Sequence, residues 1–77
     1  MKSTVKKITH GDYEVSANGR VFRVIREWEG ELKGLWVVKE QDANLKAKGV
    51  NHWFRKGVEA SKRDAIRLIE DGGYYAN

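Results

Sequence analysis

Few residues in this chain are of types that do chemistry, and their spacing narrows the chemistry further. There are two histidines, His10 and His52, and no cysteine. Without cysteine there is neither a disulfide framework nor a thiolate metal site. His10 falls in a predicted loop beside Asp12, far in sequence from His52. Neither belongs to a Ser-His-Asp set, a nucleophile elbow or a zinc-spaced pair. His52, on a predicted strand, reads as a surface or partly buried side chain. Glu27, Glu29 and Glu31 alternate around Gly30. Paired acids do acid–base work when burial splits their pKa values, but acids flanking a turn read better as solvated charges at a sheet edge. The glycines fit no phosphate-binding loop or dinucleotide fingerprint. No catalytic residue, metal or cofactor is assigned, and the chain is read as a non-enzyme.

The remaining chemistry is cationic and aromatic. Fifteen Lys and Arg stand against eleven Asp and Glu, for a net charge of +4 over 77 residues. The excess is uneven. Residues 11–34 are nearly balanced, whereas residues 35–67 carry Lys39, Lys46, Lys48, Arg55, Lys56, Lys62, Arg63 and Arg67 against Glu40, Asp42, Glu59 and Asp64. A basic half on a small domain points to an anionic partner, most often nucleic acid. His52-Trp53-Phe54-Arg55-Lys56 interleaves aromatics with basic groups, which suits backbone contact combined with stacking. The competing reading is a mixed solvated surface over a core that simply contains Trp36, Trp53 and Phe54.

These residues must be positioned by elements. Tyr13 to Ala17 alternates, Asn18-Gly19 follows, and a second β-rich run extends from Arg20 to Trp28. Asn-Gly between two such runs predicts a type I′ hairpin, since both central residues need positive φ. A two-residue loop pairs Ser16 with Val21, Val15 with Phe22, Glu14 with Arg23 and Tyr13 with Val24. That register puts Val15, Phe22, Tyr13 and Val24 on one face and the Glu14–Arg23 charge pair on the other. Glu29 to Gly34 reads as a turn. Leu35 to Lys39 is apolar on both faces, as an interior strand is. Glu40 to Gly49 is long for a hairpin loop, with a helical turn expected over Ala43 to Lys48. Asn51 to Lys56 reads as the last strand, broken by Gly57. Ser61 is placed to cap a helix with Asp64 three residues on, Ala65, Ile66, Leu68 and Ile69 form its apolar stripe, and Gly72-Gly73 ends it. Residues 1–10 either fray or lead into the first strand, and residues 74–77 either fold back or stay free. The expected architecture is one α+β domain over residues 1–77: three to four antiparallel strands with one C-terminal helix across one face.

Lys56-Gly57-Val58-Glu59-Ala60-Ser61-Lys62-Arg63-Asp64-Ala65 resembles the strand-to-helix junction of arm-type DNA-binding domains of tyrosine recombinases, which are themselves similar to plant AP2 domains. In that family the typical junction is Lys-Gly-Phe, a short link, then Thr/Ser-Lys-Lys/Arg-Glu-Ala. The motif is confined to residues 56–65. Short phage-encoded proteins of the same sheet-plus-helix type share it. This chain departs from the family in an extra N-terminal strand, the long 40–49 loop and the lack of a catalytic domain. The resemblance implies three antiparallel strands whose open face enters the DNA major groove. It would give contacts from Arg23, Lys39 and Arg55, with Lys62 and Arg63 near the backbone.

The sequence therefore supports a small nucleic-acid-binding accessory protein of phage or mobile-element type. Its interface would comprise Arg23, Lys39, Lys46, Lys48, Arg55, Lys56, Lys62 and Arg63, with DNA the expected partner. The alternative is a protein-interaction module that docks a host protein or a second copy through an exposed sheet face or edge strand. No apolar run is long enough to span a bilayer and no signal-peptide stretch is visible, so a cytoplasmic location is expected.

Overall fold

The computed structural model describes residues 3–74. The chain runs as β1 (Thr4–Thr9), β2 (Asp12–Ala17), β3 (Arg20–Arg26), β4 (Trp36–Gln41), α1 (Ala43–Ala47), β5 (Trp53–Glu59) and α2 (Lys62–Glu70). The strands form one five-stranded antiparallel sheet in sequence order. An α+β domain with a C-terminal helix is what the pattern predicts. The strand count is five rather than three to four, because residues 4–9 pair along β2 despite their sparse apolar content. The expectations for the two termini also cover residues 1, 2 and 75–77, which lie outside the described residues.

The hairpin forms as its turn chemistry dictates. Asn18 and Gly19 have φ of 54° and 73°, and Ala17 pairs with Arg20, Val15 with Phe22 and Glu14 with Arg23. This register sends Val15, Ala17, Phe22 and Val24 to one face, where Val38 of β4 joins them. The amphipathic helix α2 lies across that face. Ala65 and Ile69 enter the same cluster as Val15, Phe22, Val24 and Val38, with Trp36 and Ile66 packed at its margin. Ser61 caps the helix, its Oγ accepting from the Asp64 amide at 3.1 Å. At the other end Gly72 takes φ of 79°. The Gly72 and Gly73 amides return to the carbonyls of Ile69 and Leu68, a Schellman closure that only a residue tolerant of positive φ completes cheaply.

Two predictions on the second half need correction. Residues 40 and 41 extend β4, and only then does Asp42 cap the short helix α1 through its side chain. Gly57 does not break the last strand, which continues to Glu59. It sits at a β-bulge: Val38 pairs with Gly57 and Lys39 with Arg55, leaving Lys56 as the extra residue. The glycine is needed for another reason. The Tyr74 ring folds back over it, and a Cβ at Gly57 would lie 2.8 Å from Tyr74 Cε1. Tyr74 is buried and its hydroxyl donates to Glu59 Oε2. Burial, reinforced by that carboxylate, pushes the phenol well above its ordinary pKa. Ser3 ties the other end of the chain to the helix, its N–H and Oγ–H both donating to Glu70 Oε2.

Candidate nucleic-acid interface

The sheet face opposite α2 is built by the same alternation that makes the core. Continuing the Glu14–Arg23 pair across the sheet in register gives one row over all five strands: Lys6, Glu14, Arg23, Lys39 and Arg55. An apolar row runs beside it, with Ile25 opposite Val37 and Val37 opposite Val58. Val37 is only 2% exposed although it lies outside the core cluster. On this face Val37 is covered and Ile25 and Val58 are half-buried beside the charged row. The stems of Lys and Arg cover apolar surface readily while their charged ends stay in water.

Arg23 is held in place on this face. Its Nε lies 3.2 Å from Asp12 Oδ1, and its guanidinium lies 5.5 Å from the centre of the Trp53 ring. Asp12 partly neutralises it, and Glu14 stands between it and Lys6. Lys39 and Arg55 differ: among the described residues neither has an ion-pair partner. The uncompensated charge of the row is thus concentrated at its β4–β5 end, where strand geometry sets the two backbones about 5 Å apart.

The other sequence-predicted cations lie outside this row. Lys46 and Lys48 belong to α1 and its C-cap, both exposed. Lys56, turned by the bulge, approaches Glu40 with its Nζ 3.5 Å from Oε1. Lys62 and Arg63 stand on α2, on the far side of the sheet, and the Lys62 Nζ sits 4.0 Å from the centre of the Tyr13 ring. The structure therefore brings together Arg23, Lys39 and Arg55, places Lys46 and Lys48 at one end of the sheet, and separates Lys62 and Arg63 from the open face.

A cleft of about 980 Å³ opens between α1 and the β2–β3 turn. Arg20, Glu40, Lys46, Phe54, Arg55 and Lys56 are among its lining residues. Arg20 grips Glu40 with two bonds, Nε to Oε2 at 2.5 Å and Nη2 to Oε1 at 2.6 Å. That hydrogen-bonded guanidinium, aided by Lys56, holds the Glu40 carboxyl below the usual carboxylate range despite its burial. Phe54 remains 45% exposed, with the His52 ring edge-on to it at 4.8 Å.

Sequence reasoning missed Lys6, Arg20 and the cleft. The signal for Lys6 was present in the Glu14–Arg23 register, but it becomes readable only once β1 is known to pair. The signal for Arg20 was its position directly after the Asn-Gly turn. Its partner Glu40 is distant in sequence and is brought close only by the β3–β4 pairing. The histidines sit apart: His10 stacks on Trp28 at 5.9 Å, whereas His52 packs on Phe54. Among the described residues no group of three or more metal-ligating side chains is assembled, and no helix is long and apolar enough to cross a membrane.

No protein-family model, curated protein or solved structure matches this chain. What it does must be argued from its own surface.

Proposed function

We propose that the protein is a small nucleic-acid-binding accessory protein that holds the phosphate backbone on its open sheet face. One observation carries this reading: Arg23, Lys39 and Arg55, from three adjacent strands, stand in a single cross-strand row on the face the helix leaves uncovered. The row spans about 10 Å between its outer backbones. Arg23 is braced by Asp12 and Trp53, while among the described residues Lys39 and Arg55 have no ion-pair carboxylate. Phosphate neutralisation by such groups releases counterions and makes binding steeply salt-dependent. Arg23 acts chiefly by position, and the two unpaired cations supply most of the charge. Lys46 and Lys48 extend the basic surface at the α1 end. Lys62 and Arg63 are too far round the molecule to share one backbone with the row, and serve as a secondary positive surface.

The test is a salt titration of binding to a random duplex and a single-stranded oligonucleotide, comparing the parent chain with Lys39→Ala/Arg55→Ala. The double variant is expected to lower affinity at low salt and to reduce the slope of log K against log salt by about 2. An unchanged slope would remove the open face from the interface.

A second reading, protein docking, draws on β1. It is an edge strand exposed along its whole length, with Val5 and Ile8 at 45% and 38% exposure. Its two central lysines argue against self-pairing. Any antiparallel two-fold contact centred on the strand sets Lys6 or Lys7 opposite its own copy, and like charges directly opposed are unfavourable. Salt-insensitive association with a protein, without nucleic-acid binding, would favour docking.

A further inference from the structure

The geometry points to a site for an unstacked base of a single-stranded nucleic acid in the cleft between α1 and the β2–β3 turn, with Phe54 as its stacking surface. This inference rests on the proposed nucleic-acid reading and deepens it, since it names the form of nucleic acid the surface suits. Three observations converge. First, Phe54 lines a cleft of about 980 Å³ while keeping 45% of its surface exposed. A single exposed ring is ordinary on a small domain; what sets Phe54 apart from the other exposed apolar side chains is its place in a cleft lined with cations. Second, the cleft is cationic. Arg20, Lys46, Arg55 and Lys56 line it against Glu40 and Asp42. Asp42 is already occupied in capping α1, accepting from the Asn44 and Leu45 amides, and Glu40 is already shared by Arg20 and Lys56. Neither carboxylate is left to repel an anion unopposed. Third, Arg55 belongs both to the phosphate row and to the cleft lining. It stands on β5, an edge strand, so a flexible backbone lying on Lys39 and Arg55 can pass around that edge and turn a base toward Phe54.

A duplex does not fit this description. Its bases are stacked and paired, and placing one beside Phe54 carries the cost of unstacking it. In a single strand the bases are already available, and aromatic stacking with flanking cations is the usual means of holding them without sequence preference.

The experiment is fluorescence anisotropy of the full chain with a labelled oligothymidylate of about 12 nucleotides and with a hairpin duplex of the same length. The parent chain is expected to bind the single strand more tightly. Phe54→Leu, which keeps an apolar side chain, is expected to weaken single-strand binding about tenfold with the salt slope unchanged. Phe54→Tyr should restore it. Circular dichroism of each variant confirms that the sheet is intact. Duplex binding that equals or exceeds single-strand binding would overturn the inference. So would a Phe54→Leu chain of parental affinity. If the duplex responds to Lys39→Ala/Arg55→Ala but nothing responds to Phe54→Leu, the phosphate interface stands and the base site falls. If neither probe binds the parent chain, both fall together.

Discussion

Gly57 is the residue at which packing, strand geometry and the chain terminus meet. A glycine in a strand usually weakens it, and here it stands at a bulge with the Tyr74 ring laid directly over its α-carbon. Tyr74 is anchored by its bond to Glu59 and buried against the core, so the ring cannot yield without losing both. Gly57→Ala is therefore expected to destabilise the fold by about 1–3 kcal/mol, the usual cost of overpacking. Chemical denaturation would measure it. In a Tyr74→Ala background the same substitution should cost much less, because the atom it meets is gone. Equal costs in both backgrounds would show that the contact is not the cause. Composition alone could not reveal this role. A Lys-Gly step after an aromatic strand reads as a strand end, and only the return of the C-terminal tyrosine explains why the strand continues.

At the scale of elements, Glu40 links three strands. It lies on β4 and receives Arg20 from β3 and Lys56 from the bulge of β5. Its side chain is 12% exposed, so removing its charge leaves two cations facing each other in a partly desolvated site. Glu40→Gln is expected to cost about 1–2 kcal/mol. The pH dependence follows from the direction of the shift. The Glu40 pKa lies below its ordinary 4.5 in the folded chain, so its stabilising contribution is complete above that ordinary value. It is lost as pH falls through the lower folded value. The difference in unfolding free energy between the parent chain and Glu40→Gln should be constant near neutrality and shrink on acidification below about pH 4.5. A difference that does not change over that range would remove the ion pair as its source. The hairpin was legible in full, down to its register, because turn type, alternation and one charge pair all specify the same pairing. The Arg20–Glu40–Lys56 cluster was not, because it depends on how two separate hairpins align and on a one-residue bulge.

For the molecule as a whole, stability is unevenly distributed. The core is held by β2, β3, β4 and α2 through Val15, Phe22, Val24, Val38, Ala65 and Ile69. β1 buries none of its side chains and has a partner on one side alone. Its described tether to the helix is the Ser3–Glu70 pair. Local opening free energies scale with buried contacts. Native-state hydrogen exchange is expected to be slowest for the paired amides of β2–β4, and faster by orders of magnitude along the β1–β2 ladder. Uniform protection across the sheet would mean that β1 folds and unfolds with the rest. A loosely held first strand leaves β4, which carries Lys39 and contributes Val38 to the core, on the firmer part of the sheet.

The sequence by itself determined what depends on local rules: the Asn18-Gly19 hairpin and its register, the interior character of β4, the cap and stop of α2, the helical turn after Asp42, and the basic bias of the second half. Each is specified within a few residues by turn φ, side-chain period or capping chemistry. The tertiary structure alone decided that residues 4–9 complete the sheet, that Gly57 makes room for Tyr74, and that Arg23, Lys39 and Arg55 share a row while Lys62 and Arg63 lie behind it. It also decided that Phe54 opens into a cleft. These outcomes require distant segments to meet at a set register, and a shift of one residue in any strand would send each of those side chains to the opposite face.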